Sequence, residues 1–66
     1  MKNNIKVQRA IKNLTQENLA VLVGVSRQTI NAIEAGKYVP SASLVLKIAR
    51  VFERPVEEIF QLEDDD

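Results

Sequence analysis

Neither cysteine nor histidine occurs among the 66 residues, and these two absences exclude more chemistry than any other feature of the composition. Without cysteine there is no disulfide, no thiolate metal site and no thiol nucleophile. Without histidine the commonest general base and metal ligand is missing too. Tryptophan is absent, aromatic residues make up 5%, and there are two glycines and two prolines. No apolar run approaches the roughly 20 residues of a membrane span, and the first residues lack the basic-then-apolar plan of a secretion signal. No membrane association is expected, and the cytoplasm is the expected location. An apolar fraction of 45% is ordinary for a globular chain. This length predicts a single domain, residues 1–66, near the lower limit for folding on one core.

Net charge is zero, which taken alone argues against a nucleic-acid partner. Its distribution argues the other way. Residues 1–50 carry Lys2, Lys6, Arg9, Lys12, Arg27, Lys37, Lys47 and Arg50 against Glu17 and Glu34, a balance of +6. Residues 51–66 carry Arg54 against Glu53, Glu57, Glu58, Glu63, Asp64, Asp65 and Asp66, a balance of −6. Such a charge dipole attracts an anionic duplex to one part of the molecule and repels it from the other, which orients the encounter.

The stretch from Thr15 to Lys37 reads as two short helices joined by a tight turn. Thr15 is an N-cap residue followed by the polar first turn Gln16, Glu17 and Asn18. Leu19, Ala20, Leu22 and Val23 form the apolar face of the first helix. Gly24 stops it, since glycine adopts a left-handed backbone without steric cost, and Val25 follows as a plug for the core. Ser26 caps a second helix that runs to about Ala35, with Ile30 and Ile33 inward and Gly36 beyond its end. At about 100° per residue, Gln28 and Ala32 then point outward with Arg27 and Asn31 beside them. Arginine, glutamine and asparagine are side chains that make paired hydrogen bonds to base edges, Arg to guanine and Gln or Asn to adenine. A merely solvated face more often carries Glu and Lys.

The spacing of Gln16, Ala20, Gly24, Ile30, Ile33 and Glu34 resembles the helix-turn-helix of the phage repressor and Cro type, the Xre family. The likeness extends through LTQENLA, VGVSRQTI and IEAGKYVPS to IARVF, almost the whole chain. It implies an all-α, five-helix, repressor-like domain that binds operator DNA, usually as a dimer, with the second motif helix in the major groove. It also places an arginine at the Arg9 position against Glu34. Glu34 is partly inward on its helix, and an unpaired inward carboxylate is costly; the alternative is that Glu34 skims the surface and Arg9 touches phosphate.

Residues 1–4 taken alone read as frayed. Ile5 to Lys12 is a predicted helix with Val7, Ala10, Ile11 and then Leu14 as its apolar series. The family usually has an apolar residue where this chain has Gln8. Either the Gln8 stem packs while its amide reaches water, or the helix turns so that Val7 and Ile11 bury. Asn13 replaces the usual glycine as a left-handed C-cap. Ser41 caps a fourth helix carrying Leu44, Ile48, Val51 and Phe52. Pro55 breaks the chain before a short helix from Val56 to Phe60. Residues 56–66 form a candidate dimerisation segment with an acidic tail, in which Ile59, Phe60 and Leu62 are candidate interface residues, with a small strand pairing of residues 1–4 and 60–62. The alternative is that Ile59 and Phe60 finish the core of the single chain.

These readings predict a sequence-specific DNA-binding transcriptional regulator, a repressor in preference to an activator, acting as a homodimer on an inverted repeat. Arg27, Gln28, Asn31 and Ala32 are the candidate base contacts. Gln16, Ser26, Thr29, Lys37 and Tyr38 are the candidate phosphate contacts, favoured where helix starts expose amides. A second reading is a DNA-binding antitoxin whose acidic end masks a toxin, and a third is a helical protein-interaction module with no DNA role. No enzyme, cofactor, metal site or small-molecule ligand is expected, because catalysis here would need a carboxylate or lysine pocket for which five short helices leave little room.

Overall fold

Three of the five helices begin where a short polar side chain satisfies a free amide of the first turn. In the computed structural model, which describes all 66 residues, the order is β1 (Lys2–Asn3), α1 (Ile5–Lys12), α2 (Gln16–Val23), α3 (Arg27–Glu34), α4 (Ala42–Phe52), α5 (Val56–Ile59) and β2 (Phe60–Gln61). The Thr15 hydroxyl accepts from the Asn18 amide at 2.9 Å while Asn18 Oδ1 accepts from the Thr15 amide at 3.1 Å, a reciprocal capping box. Ser26 and Ser41 cap α3 and α4 by accepting from the amides of Thr29 and Leu44. Asn13 and Gly24 take left-handed conformations at the ends of α1 and α2. A β-carbon at Gly24 would meet nothing within 4 Å. The demand for glycine there comes from the backbone turn alone.

Twelve apolar residues from Ile5 to Phe60 make one core, with Phe52, Ile5, Leu19, Ile30, Ile33, Ile48 and Ile59 wholly enclosed. α2 packs against both α3 and α4, and α4 against α1 and α5. Val25 is half-buried against this core.

Along the helices some sequence expectations change. In α1, Val7 and Ile11 are 56% and 58% exposed and Ala10 is exposed, while Ile5 and Gln8 are buried. Gln8 is thus the residue whose stem packs, and its amide is not among the sealed, unpartnered atoms. Leu22 also faces out, because Leu19, Ala20 and Val23 already fill the inward face of α2. α5 ends one residue early, since Phe60 enters β2.

Residues 1–4 are tied down instead of frayed. β1 pairs antiparallel with β2, Lys2 opposite Gln61 and Asn3 opposite Phe60. The Asn4 amide donates to the Ile59 carbonyl at 2.9 Å. The Met1 amine lies 3.3 Å from both Glu63 and Asp66; burial lowers its pKa, but the hydrogen bonds and charges of Asp66 and Glu63 outweigh this and the net shift is upward.

Candidate nucleic-acid interface

The first turns of α2 and α3 meet at the surface, and between them Gln16, Arg27, Gln28 and Asn31 line an open depression of about 190 Å³ with no apolar side chain. Arg27, Gln28 and Asn31 are exposed. Gln16 is half-buried and its amide nitrogen donates to Asn31 Oδ1 and to Glu34 Oε1, both at 3.3 Å. The side-chain donors of Gln16 are therefore directed at α3. What its position leaves free is backbone: in each first turn the amides nearest the cap have no helical partner and carry the positive end of the helix dipole.

Ser26 Oγ is 3.0 Å from Thr29 Oγ1 and accepts the Thr29 amide at 3.2 Å, so both hydroxyls sit at the start of α3. Lys37 and Tyr38 are exposed just past its end. Ala32, expected to point outward, is half-buried. Gly36, at φ +75°, turns the chain back so that the Lys37 amide donates to the Ala32 carbonyl at 2.9 Å.

Below this surface the far half of α3 is anchored to α1. Arg9 Nε donates to Glu34 Oε2 at 2.7 Å and Arg9 Nη2 to Glu34 Oε1 at 3.1 Å, a two-pronged pair with the side chains 15% and 10% exposed. Arg9 Nη1 also donates to the Leu14 carbonyl at 3.1 Å. The hydrogen bond to Glu34 pushes the Arg9 guanidinium above its ordinary value. One polar chain thus runs from Arg9 through Glu34 and Gln16 to Asn31, linking the inside of the motif to its exposed face.

Ile59 and Phe60, expected at a subunit interface, are 0% and 6% exposed within the single chain. They finish its core because α5 and β2 fold back on α4 and β1, and among the three only Leu62, 80% exposed, is free to meet another molecule. Two residues with structural roles at the site were not singled out from sequence. Asn3 reaches the end of α3, its Nδ2 donating to the Ile33 carbonyl at 2.9 Å. The Leu14 carbonyl receives Arg9. Adjacent asparagines ahead of a helix were the available signal for the first; nothing local marks the second. No group of three acidic residues is gathered as a metal site, and no helix is long and apolar enough to cross a membrane.

A family description, helix-turn-helix, matches residues 5–59. A protein of Methanocaldococcus jannaschii named as an uncharacterized HTH-type transcriptional regulator is 59% identical over the whole of both chains. One from Bacillus subtilis, named in the same terms, is 49% identical over 98% of each. Among solved structures, the restriction-modification controller protein C.AhdI from Aeromonas hydrophila superposes with a TM-score of 0.77 at 32% identity, covering 85% of each chain.

Proposed function

This chain belongs to the helix-turn-helix family of transcriptional regulators, and from that premise we propose that it represses transcription by binding an inverted-repeat operator as a homodimer. The observation that carries this reading is the depression between the two helix starts, lined only by Gln16, Arg27, Gln28 and Asn31. Its side chains carry the donor and acceptor pairs that match base edges in a major groove.

In this reading α3 lies in the major groove. Arg27, Gln28 and Asn31 read bases, and Ala32, being half-buried, offers at most the edge of its methyl to a thymine. Ser26, Thr29, Lys37 and Tyr38 hold phosphates, and Gln16 does so through its backbone amide. A two-fold pair would present its two α3 helices roughly 34–36 Å apart, to half-sites on successive major grooves. Repression follows from occupancy of the promoter, which requires no further surface.

Selection of the purified protein against a random duplex library at two salt concentrations tests the reading, with sedimentation of the free protein alongside. Enrichment of an inverted repeat at moderate salt, by a species of twice the chain mass, is the expected result. Binding confined to low salt, with no enriched sequence, would leave only non-specific attraction to phosphate and sink the proposal.

A further inference from the structure

The two ends of α3 are held differently. Gln16 reaches Asn31 and Glu34 further along the helix, while the Arg27 end is held locally, by the Ser26 cap. The opposite end is held by residues from the start of the chain. Asn3 Nδ2 donates to the Ile33 carbonyl at 2.9 Å while Asn3 Oδ1 accepts the Ile5 amide at 3.2 Å. Only one orientation of the Asn3 amide satisfies both, since one partner is an acceptor and the other a donor. Asn3 itself is fixed by β1, opposite Phe60, and a β-carbon on Gly36 would lie 3.9 Å from the Met1 carbonyl, so the strand runs close to the helix exit.

We propose that Asn3 is a positioning residue for base recognition: it sets the tilt of α3 by bolting its last turn to the terminal strand pair and to the start of α1. This rests on the reading of α3 as the groove helix. An eight-residue helix is about 12 Å long, so pivoting it by about 10° at the Ile33 end moves Arg27 by about 2 Å. A base-edge hydrogen bond tolerates a few tenths of an ångström, roughly 2.7 to 3.2 Å between heavy atoms. Phosphate attraction, being long-ranged, tolerates far more. Asn3 has one side of its amide committed to the end of α3 remote from Arg27 and the other to the start of α1. Its loss therefore lowers discrimination between sequences and leaves non-specific affinity alone.

The test compares Asn3→Ala, Asn3→Asp and Gln61→Ala with the native chain on the selected operator and on a scrambled duplex, across a salt series. Asn3→Asp keeps the acceptor for Ile5 and removes the donor to Ile33. Gln61→Ala loosens the other strand of the same pair, removing the Gln61 Nε2 bond to the Glu57 carbonyl without touching Ile33. Both Asn3 variants are expected to lose about tenfold in the ratio of operator to scrambled affinity, the size of one good base contact; the scrambled affinity and salt slope stay unchanged in Asn3→Ala, whereas the added charge of Asn3→Asp weakens both duplexes alike on top of the lost ratio; Gln61→Ala keeps the native ratio. Amide hydrogen exchange without DNA is the second measurement, and faster exchange across α3 is expected in Asn3→Asp. A parallel fall on both duplexes in Asn3→Ala, a native ratio in Asn3→Asp, or unaltered exchange in α3 each overturns the positioning role. Failure of the native chain to select any sequence overturns instead the assignment of α3 as a reader, and the exchange result then stands as the measure of the Asn3 link.

Discussion

Replacing Arg9 by methionine removes a guanidinium that makes three hydrogen bonds, two to Glu34 and one to the Leu14 carbonyl. Glu34, 10% exposed, then keeps only the 3.3 Å bond from Gln16, and its charge stays largely out of water. Stranding one member of such a pair costs about 3–5 kcal/mol, more than the pair contributes over an apolar replacement. A chain of this length has a total stability of about 3–10 kcal/mol, so Arg9→Met is expected to be marginal or unfolded at 25 °C. At about 4–8 °C per kcal/mol for small domains, its melting midpoint falls by at least about 12 °C. The double variant Arg9→Met with Glu34→Leu removes both charges together with their desolvation cost, and is expected to recover most of that loss. Thermal melts of the native chain, both single variants and the double variant, followed by circular dichroism, form the cycle. A fall of only a few degrees in Arg9→Met, or a double variant as unstable as the two losses added, would refute the claim that the pair is buried and coupled. The titration of Arg9 itself brings no pH dependence here: with its folded pKa raised, its contribution is intact below the unfolded value and is lost only as pH rises through the folded one, above any useful working range.

Gln28→Ala is expected to relax preference at one or two base pairs and to weaken the best site by about 1–3 kcal/mol, with little effect on stability because Gln28 is exposed; an unchanged selected sequence would remove it from the reading set. Lys37→Ala is expected to weaken all duplexes alike and to reduce the magnitude of the salt slope by about one, read by titration at several salt concentrations, and an unchanged slope would place Lys37 away from phosphate. Glu53 is held below the usual carboxylate range chiefly by the 2.6 Å hydrogen bond from Lys12. Its folded pKa being depressed, the stability it confers is present above the ordinary carboxylate value and is lost as pH falls through the folded one. Lys12→Met should therefore flatten the acid side of the stability profile in urea melts at graded pH, by a small amount because the pair is exposed, and an identical acid limb would exclude the pair from stability altogether.

The starts of helices were legible because caps are local: Thr15, Ser26 and Ser41 each act on an amide three residues ahead. The rotation of α1 was not. Val7, Ala10 and Ile11 form as good an apolar series as Ile5 and Gln8, so periodicity alone favoured the wrong face. Arg9 decides it. At about 100° per residue Arg9 lies roughly 160° from both Val7 and Ile11. Turning Arg9 inward to meet Glu34 therefore forces those two outward and brings Ile5 and Gln8 to the core. An ion pair across 25 residues overrode the apolar pattern, which is the order expected when leaving a buried carboxylate unpaired costs more than exposing two aliphatic side chains. The apolar C-terminal residues misled for a related reason. Ile59 and Phe60 exceed what a four-residue helix needs for itself, but they meet the return of β1, whose pairing with β2 spans nearly the whole chain.

The same contrast between local and distant contacts separates the residues proposed to read bases from what orients them. Arg27, Gln28 and Asn31 share one face because helical geometry puts them there, and a cap one residue away starts that helix; both facts lie within six consecutive residues. The opposite end of the helix is held by Asn3 at a separation of 30 residues and by Arg9 at 25. The Arg9 tie was legible through the family resemblance, which places an arginine there against Glu34; the Asn3 tie has no periodic or spacing signature, since a side-chain amide meeting a distant carbonyl can be written with many sequences. On the proposed reading, a substitution at Asn3 or Arg9 alters recognition with every residue of the exposed α3 face intact. The two differ in kind: loss of Arg9 strands a charge and reaches global stability first, whereas loss of Asn3 leaves the Ile33 carbonyl still accepting the Gly36 amide at 3.0 Å and frees chiefly the angle of the helix.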